Sequence, residues 1–360
     1  MTLFLHVARR ALAAFLGSLV AVVLLYLVVD FAENVSLFTV PGWLGAAAAL
    51  YANRAAVVVY QTAPAAMLLG AAITASDLRR TREYTALRSL GLGPWRVATP
   101  AIAVGALVAV ALGWMGDAVV VRATARADEI LATRFHRGGA LQRDHERKRW
   151  FRGRGGHRIY HLRGGGPAEG GFEHVTVLEV TPAFGLARRI DAERMTPGAA
   201  PGEWVLADVA ERTFRPDGGM EAVFVPRRTY RFEEDPGAFD VRPGRPGQMT
   251  RAVLGEQLAL RRRLGLSSRD FAIEWQDRLS YPLAALPGAL LAVAVALRRR
   301  RKGHLTAALL EAVAISLAFW AVQAICWSLA VSGQLAPAVA AWTPDVLLAV
   351  SGLFALRRYA

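Results

Sequence analysis

Apolar residues in this chain come in long blocks. "ALAAFLGSLVAVVLLYLVV" (11–29), "AAVVVYQTAPAAMLLGAAITA" (55–75) and "VATPAIAVGALVAVALGWMG" (97–116) carry no charge. Each is close to the roughly 20 residues that a helix needs to cross a bilayer core. After a long polar interval come "LSYPLAALPGALLAVAVAL" (279–297) and runs at 308–331 and 335–356, the last two interrupted by Glu311 and Asp345. Six spans result. The interval between the third and fourth has a different period. "RIYHL", "HVTVLEV", "EWVLADV" and "MEAVFVP" mix β-branched and aromatic residues with partial alternation, as half-buried strands do. Glycine- and proline-rich turns such as "RGGGPAEGG" and "TPGAAPGE" separate them. That punctuation predicts an antiparallel sandwich or jelly roll. After it, "MTRAVLGEQLALRRRLGL" spaces Val253, Leu254, Gln257, Leu258 and Leu260 as a helix returning to the membrane.

The expected organisation is therefore residues 1–120 with spans one to three, an inserted strand-rich domain with its return helix over 121–275, and spans four to six over 276–360. Charge orients it. Arg9 and Arg10 precede span one; Arg79, Arg80, Arg82, Arg88 and Arg96 lie between spans two and three; Arg298 to Arg301 and Lys302 follow span four; Arg357 and Arg358 follow span six. With six spans these fall on one side, which the distribution of basic residues makes the cytoplasm. Both termini are then cytoplasmic and the strand-rich insert lies outside. Span one has no small-x-small cleavage site after its core and reads as a retained anchor.

Composition changes this picture little. The formal net charge of +14 would suggest nucleic acid in a soluble protein. Here the arginines sit beside apolar runs, and no zinc-finger, RNP or basic-zipper pattern is present. Cys326, the only cysteine, lies in an apolar run as a small packing residue. No G-x-x-x-x-G-K-[ST] loop, G-x-S-x-G elbow or H-E-x-x-H helix occurs, so neither enzyme chemistry nor a cofactor is expected. His157 and His161 on a strand are about 13 Å apart, too far to share a metal ion.

The segment "SDLRRTREYTALRSLGLGPWR" (76–96) stands out as a patterned helix where a plain polar loop would suffice. Thr81 is placed to cap a helix beginning near Arg82, and Gly91 to stop it. Tyr84, Leu87 and the Leu90/Gly91 edge form one apolar stripe, flanked by Glu83 and Arg88. So short a helix does not hold in water alone. It packs against its own spans or against a partner. Ionisable residues near membrane depth are the other candidates: Asp30 and Glu33 ending span one, Arg54 opening span two, Glu311 with Arg300 or Arg301 as its expected partner, and Asp345 after Pro344, with Gln323 between them in span five.

"TREYTALRSLGLGPWRV" resembles the segment after span two in the LptF/LptG permeases of lipopolysaccharide export. "DRLSYPLAAL" is similar to that family's fourth-span opening. "LAPAVAAWTPDVLLAVSGLFALRR" is similar to its sixth span, and "WFRGRGGHRIYHL" to the first strands of its periplasmic jelly roll. The early strand region resembles LptG more than LptF. The resemblance implies an α-helical integral membrane protein with six transmembrane helices and an inserted periplasmic antiparallel β jelly roll, in a Gram-negative inner membrane. It implies a coupling helix at about 77–91, with Glu83, Tyr84, Leu87, Arg88 and Gly91 docking an LptB-like ATPase dimer. The other partners implied are a second LptF/LptG-like permease, an LptC-like bitopic protein, and lipopolysaccharide among membrane lipids. Residues 11–33 and 305–331 would line the lipid cavity, with Asp30, Glu33, Arg54, Glu311, Gln323 and Asp345 as cavity or gate residues. Family members often have basic residues where this chain has Asp30 and Glu33. The competing readings are a permease for another lipid or lipoprotein, which usually has four spans, and a membrane scaffold whose sheet only binds a partner. Val175 and Val177 are candidate acyl-chain contacts in the sheet.

Overall fold

The computed structural model describes residues 2–38, 42–135, 148–153, 156–166, 170–182, 185–200, 202–215, 218–234, 239, 246–263, 267–298 and 305–359. The chain divides into two compact units: Met1–Phe135 with Pro246–Leu254 and Arg269–Ala360, and His136–Arg245 with Gly255–Ser268.

The first unit is helical. Its elements are α1 (Thr2–Glu33), α2 (Trp43–Arg80), α3 (Glu83–Ser89), α4 (Trp95–Met115), α5 (Val121–Thr133), α7 (Arg269–Leu283), α8 (Ala285–Arg298), α9 (Leu305–Val331) and α10 (Pro337–Tyr359). The linking helix α6 (Arg251–Arg263) divides between the two units. Among the described residues five helices are long and apolar enough to cross a membrane, and α7 with α8, bent by 42° at a short break, makes a sixth when the pair is taken as one span. The bend has a sequence cause. Pro282 and Pro287 both lack a backbone N–H, so the carbonyls one turn before them lose their helical donors and the axis breaks between them. α4 runs through a π-helical segment, Gly116–Val120, directly into α5. Helical structure therefore reaches Thr133, beyond the residue-120 boundary expected from hydropathy, and the strand-rich unit starts at His136.

Small residues set the closeness of the packing. A Cβ on Gly70 would lie 2.6 Å from the backbone nitrogen of Phe15, so α1 and α2 touch where only glycine fits. The core between the helices is largely alanine, valine and leucine, with Val7, Ala11, Met67, Ala71, Leu78, Val97 and Ala289 buried. Arg79 donates to the Leu297 carbonyl at 2.6 Å, satisfying the C-terminus of α8.

The second unit holds β1 (Lys148–Arg152), β2 (Arg158–Gly166), β3 (Gly171–Val180), β4 (Leu186–Pro197), β5 (Glu203–Phe214) and β6 (Met220–Arg231). They form one antiparallel sheet in sequence order β1 to β6, a jelly-roll-like meander. One face is apolar: Tyr160, Leu162, Phe172, Ile190, Met195, Trp204 and Leu206 are buried on it, covered in part by Phe239 and Leu260. Irregular residues cross the sheet in a row. His174 and Asp208 have positive φ, and on β4 the buried positions step from Ala192 to Met195. Each step keeps the apolar side chains on one face of the sheet. β4 was absent from the strands expected by alternation, because "LARRIDAERMTP" carries charges on both faces.

Candidate functional site

The connection between α2 and α4 is built by backbone signals. α2 ends at Arg80, and Thr81 is its C-cap, with its hydroxyl bonded to the Asp77 carbonyl at 3.1 Å. Thr81 thus closes the preceding helix, and the residue before α3 is Arg82, in a left-handed conformation without a side-chain cap. Gly91, at φ +74°, stops α3 as expected, and the Leu92 N–H returns to the Leu87 carbonyl at 3.0 Å.

The apolar stripe of α3 divides between two uses. Tyr84 is buried in the helical core, and Leu87 packs against the same core, so both rest on the chain's own spans. Leu90 is 75% exposed and Trp95 41% exposed, with Arg88, Gly91 and Arg96 exposed around them. Glu83 is held within the chain. Its carboxylate accepts from Arg10 of α1 at 2.9 and 3.2 Å and from the Thr81 hydroxyl at 3.0 Å, with His6 at 3.5 Å. Burial works to raise its pKa, but the hydrogen bonds from Thr81 and Arg10 and the Arg10 charge outweigh it and hold the carboxyl below its ordinary value. The N-terminus of the first span is thereby tied to the start of α3. Sequence reading missed Arg10 and His6 here, since they lie more than 70 residues away; the separation is 73 for the Arg10 bond.

At the other end of α1 the acidic residues are partly neutralised. Asp30 pairs with Arg54, whose guanidinium also lies 5.7 Å from the Tyr51 ring centroid. Phe31, Phe38, Trp43, Tyr51 and Phe135 pack around this end as an aromatic cluster. Glu33 is exposed at the last residue of α1. Glu311 faces a small cavity between α2, α8 and α9, lined by Ala72, Ala292, Ala308 and Ile315. Its expected partners Arg300 and Arg301 lie outside the described residues. Gln323 and Asp345 both come to α7: Gln323 donates to Asp277 at 3.1 Å, and Asp345 is buried on α10. Asp277 was missed as a site, although Asp270, Glu274, Asp277 and Tyr281 recur at helical spacing ahead of an apolar run.

Beside this cluster Arg278, with a side chain 6% exposed, works as a staple. It donates to Glu274 at 3.0 Å, to the Gly116 carbonyl in the π segment at 3.0 Å and to the Gly247 carbonyl at 2.9 Å. The π turn loosens the helical ladder and so leaves a carbonyl for an outside donor. One residue on, Asp117 accepts the Arg251 N–H at 3.0 Å and caps α6.

In the sheet, one end of the apolar face carries a row of ions, one per strand. Arg158 on β2 donates to Glu179 on β3 at 2.8 Å; Arg188 on β4 meets Glu179 at 3.0 Å and Glu211 on β5 at 3.0 Å; Arg228 on β6 reaches Glu211 at 3.0 Å. Tyr230 adds a 2.7 Å bond to Glu211, and burial followed by this bond pushes its pKa up to about 12. Burial alone would raise the Glu179 pKa, but the Arg158 hydrogen bond and the Arg188 and Arg158 charges hold it below its ordinary value. Val175 and Val177, the acyl-contact candidates, are 1% and 0% exposed in the sheet core. Among the described residues no group of His, Cys, Asp and Glu could hold a metal ion.

No individual curated protein matches the chain. A family model does, over residues 5–358, and it describes the lipopolysaccharide export system permease LptF/LptG. That match runs through every span, the α3 connection and the inserted sheet, so the chain belongs to the LptF/LptG family of lipopolysaccharide export permeases.

Proposed function

We propose that this chain is one half of an ATP-driven exporter that takes lipopolysaccharide out of the inner membrane and passes it to a periplasmic bridge. The observation that carries the ATP-driven part is the exposed edge of α3. Tyr84 and Leu87 anchor the helix to the bundle, while Leu90, Trp95 and Arg88 stay open for a second protein. The sequence has no phosphate-binding loop of its own, so an LptB-like ATPase dimer docked on that edge supplies hydrolysis. Arg10 and Glu83 connect the docked helix to span one, so a push at α3 reaches α1 directly.

In this reading the arginine-rich ends face the cytoplasm and the sheet is periplasmic. A second LptF/LptG-like permease completes the lipid cavity, toward which α1 and α9 present exposed apolar faces that include Leu16, Leu24, Leu310 and Leu317. An LptC-like bitopic protein takes the lipid onward. With Asp30 paired to Arg54 and Glu33 exposed, the outer end of α1 keeps a negative charge, so lipid phosphates are held chiefly by the partner permease.

The test is lipid capture. A photo-crosslinking amino acid at Val223, which stands opposite Glu211 on the apolar face, is introduced into the complex in proteoliposomes. Lipopolysaccharide should be captured with ATP and not without it. Capture that ignores ATP, or never occurs, contradicts the exporter reading.

A further inference from the structure

Two carboxyl groups come near one another inside the helical unit, and neither makes an ion pair among the described residues. Asp277 lies on α7 and accepts a hydrogen bond from Gln323 of α9 at 3.1 Å. Asp345, on α10, is 7% exposed, and its Oδ2 has no hydrogen-bond partner among the described residues. The two are electrostatic neighbours, and Tyr281, one turn beyond Asp277, lies beside both. A second contact fixes the facing: Trp342, three residues before Asp345 on the same side of α10, donates to Gln276 on α7 at 3.3 Å.

Arg278 is the cation beside Asp277, and it is already shared with other acceptors. On α7, Arg278 is committed to Glu274 and to the Gly116 and Gly247 carbonyls, and Glu274 adds a further negative charge. From the π segment comes Asp117, 3.6 Å from Arg278. α2 contributes Tyr60, its ring 5.6 Å from that of Tyr281, and the Gln61 carbonyl, which the Tyr281 hydroxyl bonds. α9 contributes the Gln323 amide and Trp320, with the Phe319 ring against Tyr281. A carboxylate buried among apolar helices and unpaired costs several kcal/mol, and two side by side cannot both ionise cheaply.

We propose that Asp277 and Asp345 form an intramembrane proton-binding pair. While α10 packs on α7 the pair carries a proton, and parting of the two helices admits water and releases it. This is independent of lipid capture: the pair can bind a proton whether or not the chain exports lipopolysaccharide, and the test below uses neither ATP nor lipid cargo.

The full permease in lipid nanodiscs is treated with dicyclohexylcarbodiimide, which adds to protonated carboxyl groups in apolar surroundings, and the adducts are located by peptide mass spectrometry. Asp345 or Asp277 should be labelled at neutral pH, and labelling should fall several-fold as the pH is raised. In Asp277→Asn, which keeps the side-chain shape, Asp345 is relieved of its like-charged neighbour and its labelling should drop several-fold at neutral pH. Absence of labelling in the wild type overturns the proposal, as does Asp345 labelling unchanged in the variant. Protection by sodium but not potassium at constant pH would make the pair a cation site and overturn the proton assignment. If the variant does not fold, the wild-type profile decides: labelling that persists unchanged into alkali overturns the pair.

Discussion

The sheet and the helical bundle treat buried acids in opposite ways. In the sheet, Glu179 and Glu211 lie on the apolar face, and each is shared between two arginines. In the bundle, Asp345 is buried about as deeply as Glu211 and has no arginine partner among the described residues, and Arg278 is spent on Glu274 and two backbone carbonyls. Desolvation is the same penalty in both places. A sheet can meet it because register puts one charge per strand in line. A helix packed on three others offers few positions from which a long cationic side chain can arrive. Buried charge is thus structural in one unit and available for function in the other.

The largest effect should come from breaking the sheet's ion row at its centre. Glu211→Leu leaves Arg228 and Tyr230 without their shared acceptor and Arg188 with Glu179 alone, a loss of about 3 kcal/mol in a part-buried network. Amide hydrogen exchange in β5 and β6 should accelerate about 100-fold, since each 1.36 kcal/mol is a factor of ten. An unchanged rate would mean that the row is solvated and of little weight.

Next is the staple. Arg278→Met keeps much of the volume but strips the donors from the Gly116 and Gly247 carbonyls, at a cost of about 2 kcal/mol. Thermal unfolding in lipid should shift down, with exchange rising first around the π segment. Were exchange to rise only in α8 and α10, the staple would not be what holds α7 to that segment.

The smallest effect is acid sensitivity of the sheet. Glu179 and Asp191 are both held below their ordinary values of 4.5 and 3.8. For Asp191 burial opposes the shift, and the Arg189 and Thr176 hydrogen bonds outweigh it. A depressed folded pKa contributes stability that is present above the ordinary value and lost as the pH falls through the folded one. Exchange in β3 to β5, corrected for intrinsic rates, should therefore be flat through neutral pH and rise only below about pH 4. A rise beginning near neutrality would point to histidines instead.

Most of the helical unit was legible because hydropathy at helical length has few alternatives, and all six spans are present once the α7–α8 pair is joined across its bend. The bend itself was in the sequence as two prolines five residues apart. What stayed hidden depended on partners distant in sequence. β4 reads as a polar loop until Arg188 is seen between Glu179 and Glu211. Glu83 reads as a free docking charge until Arg10 is seen on it. The α3 stripe gave no way to choose between spans and partner, and the structure divides it: Tyr84 and Leu87 turn inward while Leu90 stays out. Asp277 sat in plain view beside an apolar run, and helical spacing with Tyr281 would have found it.

That divided stripe supplies the most direct test of the coupling account. The tagged protein is purified in mild detergent from its own membranes, wild type beside Leu90→Asp. Leu90 is exposed, so the change leaves the Tyr84 and Leu87 anchors, the Arg10–Glu83 tie and the Gly91 stop in place. An ATPase subunit and a second six-span permease should co-purify with the wild type, and the variant should keep the permease and lose the ATPase. An ATPase that stays bound to Leu90→Asp at wild-type level would contradict docking at the exposed edge of α3.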